Sequence, residues 1–382
     1  MQAIIENCRI GRFTVLTAQA GLGTSSLLRA GVVPALQAAG CITVLYSDWQ
    51  GRAFPARFRA AILEAIHEQA DGAFVPESDL RAMISRAQSH TGKPIVILLD
   101  QFEDYLQYHL GTDLSDEFDA SLANVISSHV GCFVIGLHAE SVTEFERLSQ
   151  YVPNLMGYSI KLSPLAPDAA RQLVRHSAAV AGVEIEDAAV DLLVSSPAVL
   201  VGSGTKNPGA HPLFVKLAAE RLFDAEFVLK SKVARASTIT ANGGAERLIM
   251  ESLDPVVNDL GSTHTELLVR WIPLLVTPDG RRTAASEKSL MAHAGKWNRF
   301  AATLLPLLVK KGLLRTLEMP AGTRYDFARE SMATVIHDWW TRKEAAVVAR
   351  QRALFRVGSI SIAVGAILLA YLIYVYLTIK RP

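Results

Sequence analysis

The chain has 382 residues, half of them apolar, and a formal net charge of +1. That length holds two or three domains with real cores, and the near-neutral balance argues against a protein drawn to nucleic acid by overall charge. Cys8, Cys41 and Cys132 lie far apart in sequence, which speaks for buried thiols in a reducing compartment and against a disulfide frame or a zinc site.

Met1 to Arg12 is a short lead-in beside the first strand. Its apolar run is broken by Glu6, Arg9 and Arg12, so it does not read as a signal peptide, and the bulk of the chain is expected in the cytoplasm. Phe13–Thr17 reads as a buried strand, Ala18–Thr24 as a small-residue loop, and a helix opens near Ser25. Strand, glycine-rich turn and helix N-terminus make a phosphate cradle, because free N–H groups and the helix dipole point at one spot. Against the template G-x-x-x-x-G-K-[ST], the register is Ala18-Gln19-Ala20-Gly21-Leu22-Gly23-Thr24-Ser25. The second glycine and the metal-type hydroxyl are kept; the first glycine is Ala18 and the lysine is Thr24. Losing one or two hydrogen bonds to charged phosphate weakens binding on the order of tenfold to several thousandfold. It also removes a stabiliser of transition-state charge.

Further strands are predicted at Cys41–Asp48, Pro94–Asp100, Cys132–Leu137 and Tyr158–Leu162, with helices around Ala56–Gln69, Ser78–Ser89 (Ser78 as N-cap) and Ser115–Ser128. This alternation implies a parallel sheet with helices on both faces. Asp100 ends its strand, which is expected beside the phosphate-loop strand. Its carboxylate there suits a Mg²⁺ bound through water, and Glu103 is placed to orient or activate a water.

From Ala166 the pattern turns helical: Pro167–Ala181, Glu186–Ser195 and Pro212–Phe223. Residues 241 to 340 add helices and then KKGLLRTLEMPAGTRYDFARESM, read as helix end, strand, turn and strand. Helices followed by a hairpin predict a winged helix. A DNA-binding alternative for that module would rest on Arg281, Arg282, Lys310 and Lys311, but no nucleic-acid partner is expected. Val357–Ile379 runs 23 residues without a charge, about 34 Å as a helix against a hydrocarbon core of about 30 Å. Tyr371, Tyr374 and Tyr376 sit toward its far end, and Arg342, Lys343, Arg350, Arg352 and Arg356 precede it. It is expected to anchor the chain in a bilayer, with the N-terminal bulk on the cytoplasmic side.

These motifs resemble, in order, the STAND class of P-loop NTPases, of the novel STAND type and related to NACHT and NB-ARC domains. The carrying stretches are GLGTSSLLRAGVVPAL (Gly21–Leu36), SDWQ (Ser47–Gln50), ILLDQFED (Ile97–Asp104) and FVIGLHAE (Phe133–Glu140). LSPLAPDAARQLV (Leu162–Val174), HPLFVKLAAERLF (His211–Phe223), KKGLLR (Lys310–Arg315) and YDFARES (Tyr325–Ser331) follow. The resemblance implies an α/β P-loop domain over 1–163, an all-α lid over 164–240 and a winged-helix domain over 241–340. Charge and hydropathy, outside the resemblance, add a basic linker over 341–356 and a transmembrane helix over 357–379; the resemblance itself covers roughly residues 10 to 340. It implies ATP or ADP with Mg²⁺, phosphates lined by Gly21, Gly23, Thr24, Ser25 and Ser26, and metal on Ser25 and Asp100. Glu103 would be the companion acid, Pro212 the lid proline that touches nucleotide, and Arg329 would stand where such proteins often place a histidine on the diphosphate. His138 stands where arginine is common.

With Thr24 for lysine, the expected function is a membrane-anchored signalling switch or scaffold with a degenerate nucleotide site. Because neither an effector domain nor a repeat array is visible, it is expected to work through a sensor or effector protein in trans, with homo-oligomerisation left open. A slow ATPase with a substitute cation, and a nucleotide-free structural membrane protein, are the alternatives.

Overall fold

The structure is a computed structural model that describes residues 1–10, 13–69, 77, 79–109, 111–201, 209–251, 260–278, 280–311, 313–319, 322–328, 333, 335–337 and 339–341. Five parallel strands, β1 (Phe13–Ala18), β2 (Ile42–Tyr46), β3 (Ile95–Leu99), β4 (Cys132–His138) and β5 (Ser159–Lys161), form a sheet in the order β2-β3-β4-β1-β5. The apolar runs become central strands because both faces are covered. Val15, Ile97 and Ile135 point into one core, with Trp49, Phe54, Phe58 and Phe118. Leu16, Leu98 and Val134 point into the other, with Ile4, Leu28 and Val32. The alternation follows from the two-residue period of a strand.

The lead-in is a helix, Gln2–Ile10, that buries Ile4 and Ile5. Cys8, Cys41 and Cys132 are free thiols gathered on the same face of the sheet. The helix expected at Ser78–Ser89 runs instead from Leu80 to Thr91, and its cap is Asp79, whose carboxylate accepts from the Ala82 N–H at 2.8 Å. A carboxylate at that position satisfies an orphan N–H and meets the helix dipole. Ser78 lies outside the described residues.

One placement differs from expectation. β3 is not beside β1; β4 lies between them. The Asp100 end of β3 therefore looks across one intervening strand to the phosphate loop.

The unit expected to be all-α packs helices Pro167–Val180, Asp187–Val194, Pro212–Val228, Ala236–Ala241 and Ala245–Glu251 around Val174, Val190, Leu193 and Leu222. It also holds two small sheets, Glu184–Ile185 with Val233–Ala234 and Leu200–Val201 with Gly209–Ala210, so it is mainly and not wholly helical. The C-terminal unit has helices Gly261–Leu275, Glu287–Ala294 and Asn298–Lys310. Its antiparallel sheet joins β6 (Ala285–Ser286), β7 (Leu314–Met319) and β8 (Gly322–Phe327) in the order β6-β8-β7. Trp271, Leu304 and Phe327 anchor its own core. Leu317 leaves that core and is buried in the one built around Trp49, so this unit docks on the P-loop unit through apolar contact. Among the described residues no helix is long and apolar enough to cross a membrane; the segment Val357–Ile379 lies outside them.

Candidate nucleotide site

β1 ends at Ala18, which is still extended and pairs with His138 across β4. A methyl group is tolerated there, so the loop needs no glycine at that position. It needs one at Gly21 and Gly23, where φ is +78° and +91°, a region costly for residues with a Cβ. Gly21 also has a close neighbour: a Cβ there would lie 2.6 Å from Cε1 of His211. His211 precedes the lid helix Pro212–Val228, and its Nε2 lies 3.1 Å from the Ala20 carbonyl oxygen. The lid thus rests on the loop through His211, while Pro212 starts the helix where a missing N–H costs nothing.

The helix after the loop is built of Thr24–Ser26, a π-helical stretch Leu27–Val32, and Val33–Ala38. Asp100 faces its start. The Asp100 N–H extends the ladder to the Tyr46 carbonyl at 2.8 Å, and the buried Trp49 indole donates to the Asp100 carbonyl at 2.8 Å. The SDWQ motif therefore supplies the clamp that fixes the acidic strand end. Gln101 follows with φ +54°, a left-handed turn that starts the helix Phe102–His109.

Contact across β4 depends on Gly136. A Cβ there would sit 3.1 Å from Thr24 Cγ2 and 3.6 Å from Asp100 Oδ1. With that space open, loop and acid converge. One Asp100 oxygen accepts from the Gln101 N–H at 3.0 Å; the other, Oδ2, is buried and has no hydrogen-bond partner. Burial raises the Asp100 pKa, while the nearby Ser25 hydroxyl favours the charged form. A bare carboxylate oxygen beside a serine hydroxyl is a hard-oxygen donor set that fits Mg²⁺, with Ser25 and Asp100 as the residues that would hold it.

Glu103 stands beside His138 at the end of β4. One of its oxygens accepts from the His138 N–H at 3.2 Å, and the other lies 3.5 Å from His138 Nε2. Burial and the adjacent Asp104 push its pKa up to about 8. At neutral pH it holds its proton, which makes it a poor base for activating water.

The cavity, about 610 Å³, is lined by Gly21, Gly23, Thr24, Ser25 and Ser26 from the loop and by Asp100, Glu103 and His138 from the sheet. Lys216 reaches it from the lid, and Arg282, Arg315 and Ala328 from the C-terminal unit. That size suits a small-molecule ligand. Arg329, next to Ala328, lies outside the described residues.

The arginines belong to a buried cluster that motif reading did not find. Arg282 pairs with Asp104 and lies 3.8 Å from Asp326. Arg315 contacts Asp326 at 2.7 Å and 2.9 Å, Asp104 at 3.5 Å and the Tyr108 hydroxyl at 2.8 Å. Tyr108 donates to Asp326 at 2.9 Å. Two cations balance two anions, and Asp104 with Tyr108 comes from the P-loop unit while the rest come from the C-terminal unit. Arg281, beside it, donates to Ser141 of the P-loop unit at 3.0 Å. Arg282 thus faces inward, and half-buried Arg281 is tied to the P-loop unit.

No curated protein matches the chain. Among solved structures, the Aeropyrum pernix ORC2 protein with ADPNP and ADP is 14% identical, covering 89% of this chain and 91% of its own, at a TM-score of 0.47. The Aeropyrum pernix ORC1 protein in complex with DNA is 15% identical over 88% of each chain, at 0.42. The Thermotoga maritima RuvB Holliday junction branch migration motor is 16% identical over 81% and 83%, at 0.35. These are distant likenesses. The family described as Novel STAND NTPase 1 matches residues 1–356. The chain belongs to that family of STAND-class P-loop NTPases.

Proposed function

We propose that the protein is a membrane-anchored, STAND-type switch that holds ADP or ATP with Mg²⁺ in the cavity between its three units and turns it over slowly or not at all. The observation that carries this reading is the buried, unpartnered Asp100 oxygen beside Ser25, at the floor of a cavity that all three units line. Arg282 and Arg315, which line that cavity, tie the C-terminal unit to Asp104, so a ligand seated there lies against the closed junction. Nucleotide and closure are then linked, since a ligand that binds the closed form better stabilises it by mass action.

Slow turnover is supported by Thr24 in the lysine position, which removes a stabiliser of transition-state charge. In this reading the C-terminal unit, with its helices and small antiparallel sheet, is a winged helix. The protein signals by opening and engaging a sensor or effector protein in trans, or a second copy of itself, while Val357–Ile379 spans the bilayer.

The test is to purify the full-length chain, denature it in acid and separate the released small molecules by chromatography. ADP or ATP at a substantial fraction of the protein concentration is the expected result. A protein that releases no nucleotide, and whose melting temperature does not move when either nucleotide is added with Mg²⁺, contradicts the reading.

A further inference from the structure

A polyphosphate in this cavity needs a cation that Thr24 cannot supply. Among the described residues four cations line the cavity. Arg282 and Arg315 are engaged by Asp104 and Asp326. Lys216 lies 3.6 Å from Glu220 on an exposed helix face. Arg29 is the fourth. It is exposed and has no hydrogen bond or ion pair with a described residue.

Its position fits the missing role. Arg29 is four residues after Ser25, and side chains at that spacing share a helix face. Helical side chains lean toward the N-terminus, so a long arginine there reaches back over the turn that carries Ser25. It lies on the π-helical stretch Leu27–Val32, an irregularity that is frequent at functional sites. It lines the cavity together with Ser25, Ser26 and Asp100. The bare Oδ2 of Asp100, on a residue 2% exposed, marks a metal position beside it.

We infer that Arg29 is the cation that contacts the phosphate chain of a nucleoside di- or triphosphate in place of the absent P-loop lysine. The inference rests on the nucleotide-binding reading given above. A guanidinium offers several donors in a planar fork, so one residue one turn along the helix can bridge phosphate oxygens.

The experiment titrates full-length wild type, Arg29→Ala, Arg29→Lys and the double variant Thr24→Lys/Arg29→Ala with Mg·ADP and Mg·ATP, with Asp100→Asn alongside. Arg29→Ala is expected to weaken binding on the order of tenfold to a hundredfold with an unchanged melting temperature, because the side chain is exposed. Arg29→Lys recovers part of the loss, and Thr24→Lys in the Arg29→Ala background restores binding by returning a lysine to the loop. If Arg29→Ala binds like wild type while Asp100→Asn is weakened, the inference fails and the nucleotide reading stands. A loss that neither lysine repairs also overturns it. If wild type itself binds neither nucleotide, both fall together.

Discussion

Asp100 and Thr24 approach each other across β4 because position 136 has no side chain. Gly136→Ala puts a methyl group 3.1 Å from Thr24 Cγ2 and 3.3 Å from Leu28 Cδ1, so the loop and the first helical turn must give way. Nucleotide affinity is expected to fall by about tenfold or more, read by titration, with a smaller effect on the melting temperature. Wild-type affinity in that variant would show that the gap does not matter. Glu103 gives a pH signature. Its folded pKa is about 8 against an ordinary 4.5, so between those values the folded state binds more protons than the unfolded one. Stability therefore falls as pH rises through that window and levels off above about 8. Glu103→Gln removes this falling limb, and the variant should gain melting temperature on wild type as pH is raised from 5 to 8. Parallel curves would place the carboxyl elsewhere. Ser25 and Asp100 were readable from sequence, since motif spacing names them. Gly136 was not, because nothing in the string says that β4 would come between β3 and β1.

At the scale of elements, β1 to β4 were legible because they are buried almost throughout and read as apolar runs, whereas β5 is a short, mostly exposed edge strand. Their order was not, since parallel strands joined by helices can insert a later strand between earlier ones. The arginine–aspartate cluster was also out of reach: Arg282 and Asp104 are 178 residues apart, and no period or spacing rule links a helix start to a loop in another unit. Arg282 could be seen only as a basic residue beside Arg281. Its burial assigns it to the junction between units. Breaking one partner of such a buried pair costs about 3–5 kcal/mol. Arg282→Ala or Asp104→Ala should therefore lower stability by about that much in denaturant unfolding, and should expose the junction to protease. A double-mutant cycle should show coupling of about 1 kcal/mol or more. Additive effects would mean that the two units are not locked by this pair.

At the scale of the molecule, Leu317 in the P-loop core, His211 on the phosphate loop and the ionic cluster fasten three units around one cavity. A switch of this kind needs a closed form that a ligand can stabilise and an open form that a partner can use. The expected anchor adds a separate prediction. Deleting Val357–Ile379 should move the protein from the membrane to the supernatant fraction, and its persistence in the membrane fraction would contradict the anchor. Central to all of this is that the cavity takes a nucleotide through Asp100 and Ser25. Calorimetric titration of the full-length chain with Mg·ADP and Mg·ATP tests it most directly. Saturable binding that Asp100→Asn strongly weakens is the predicted result; no heat of binding with either nucleotide up to about 1 mM, a standard binding free energy weaker than about −4 kcal/mol, would contradict it.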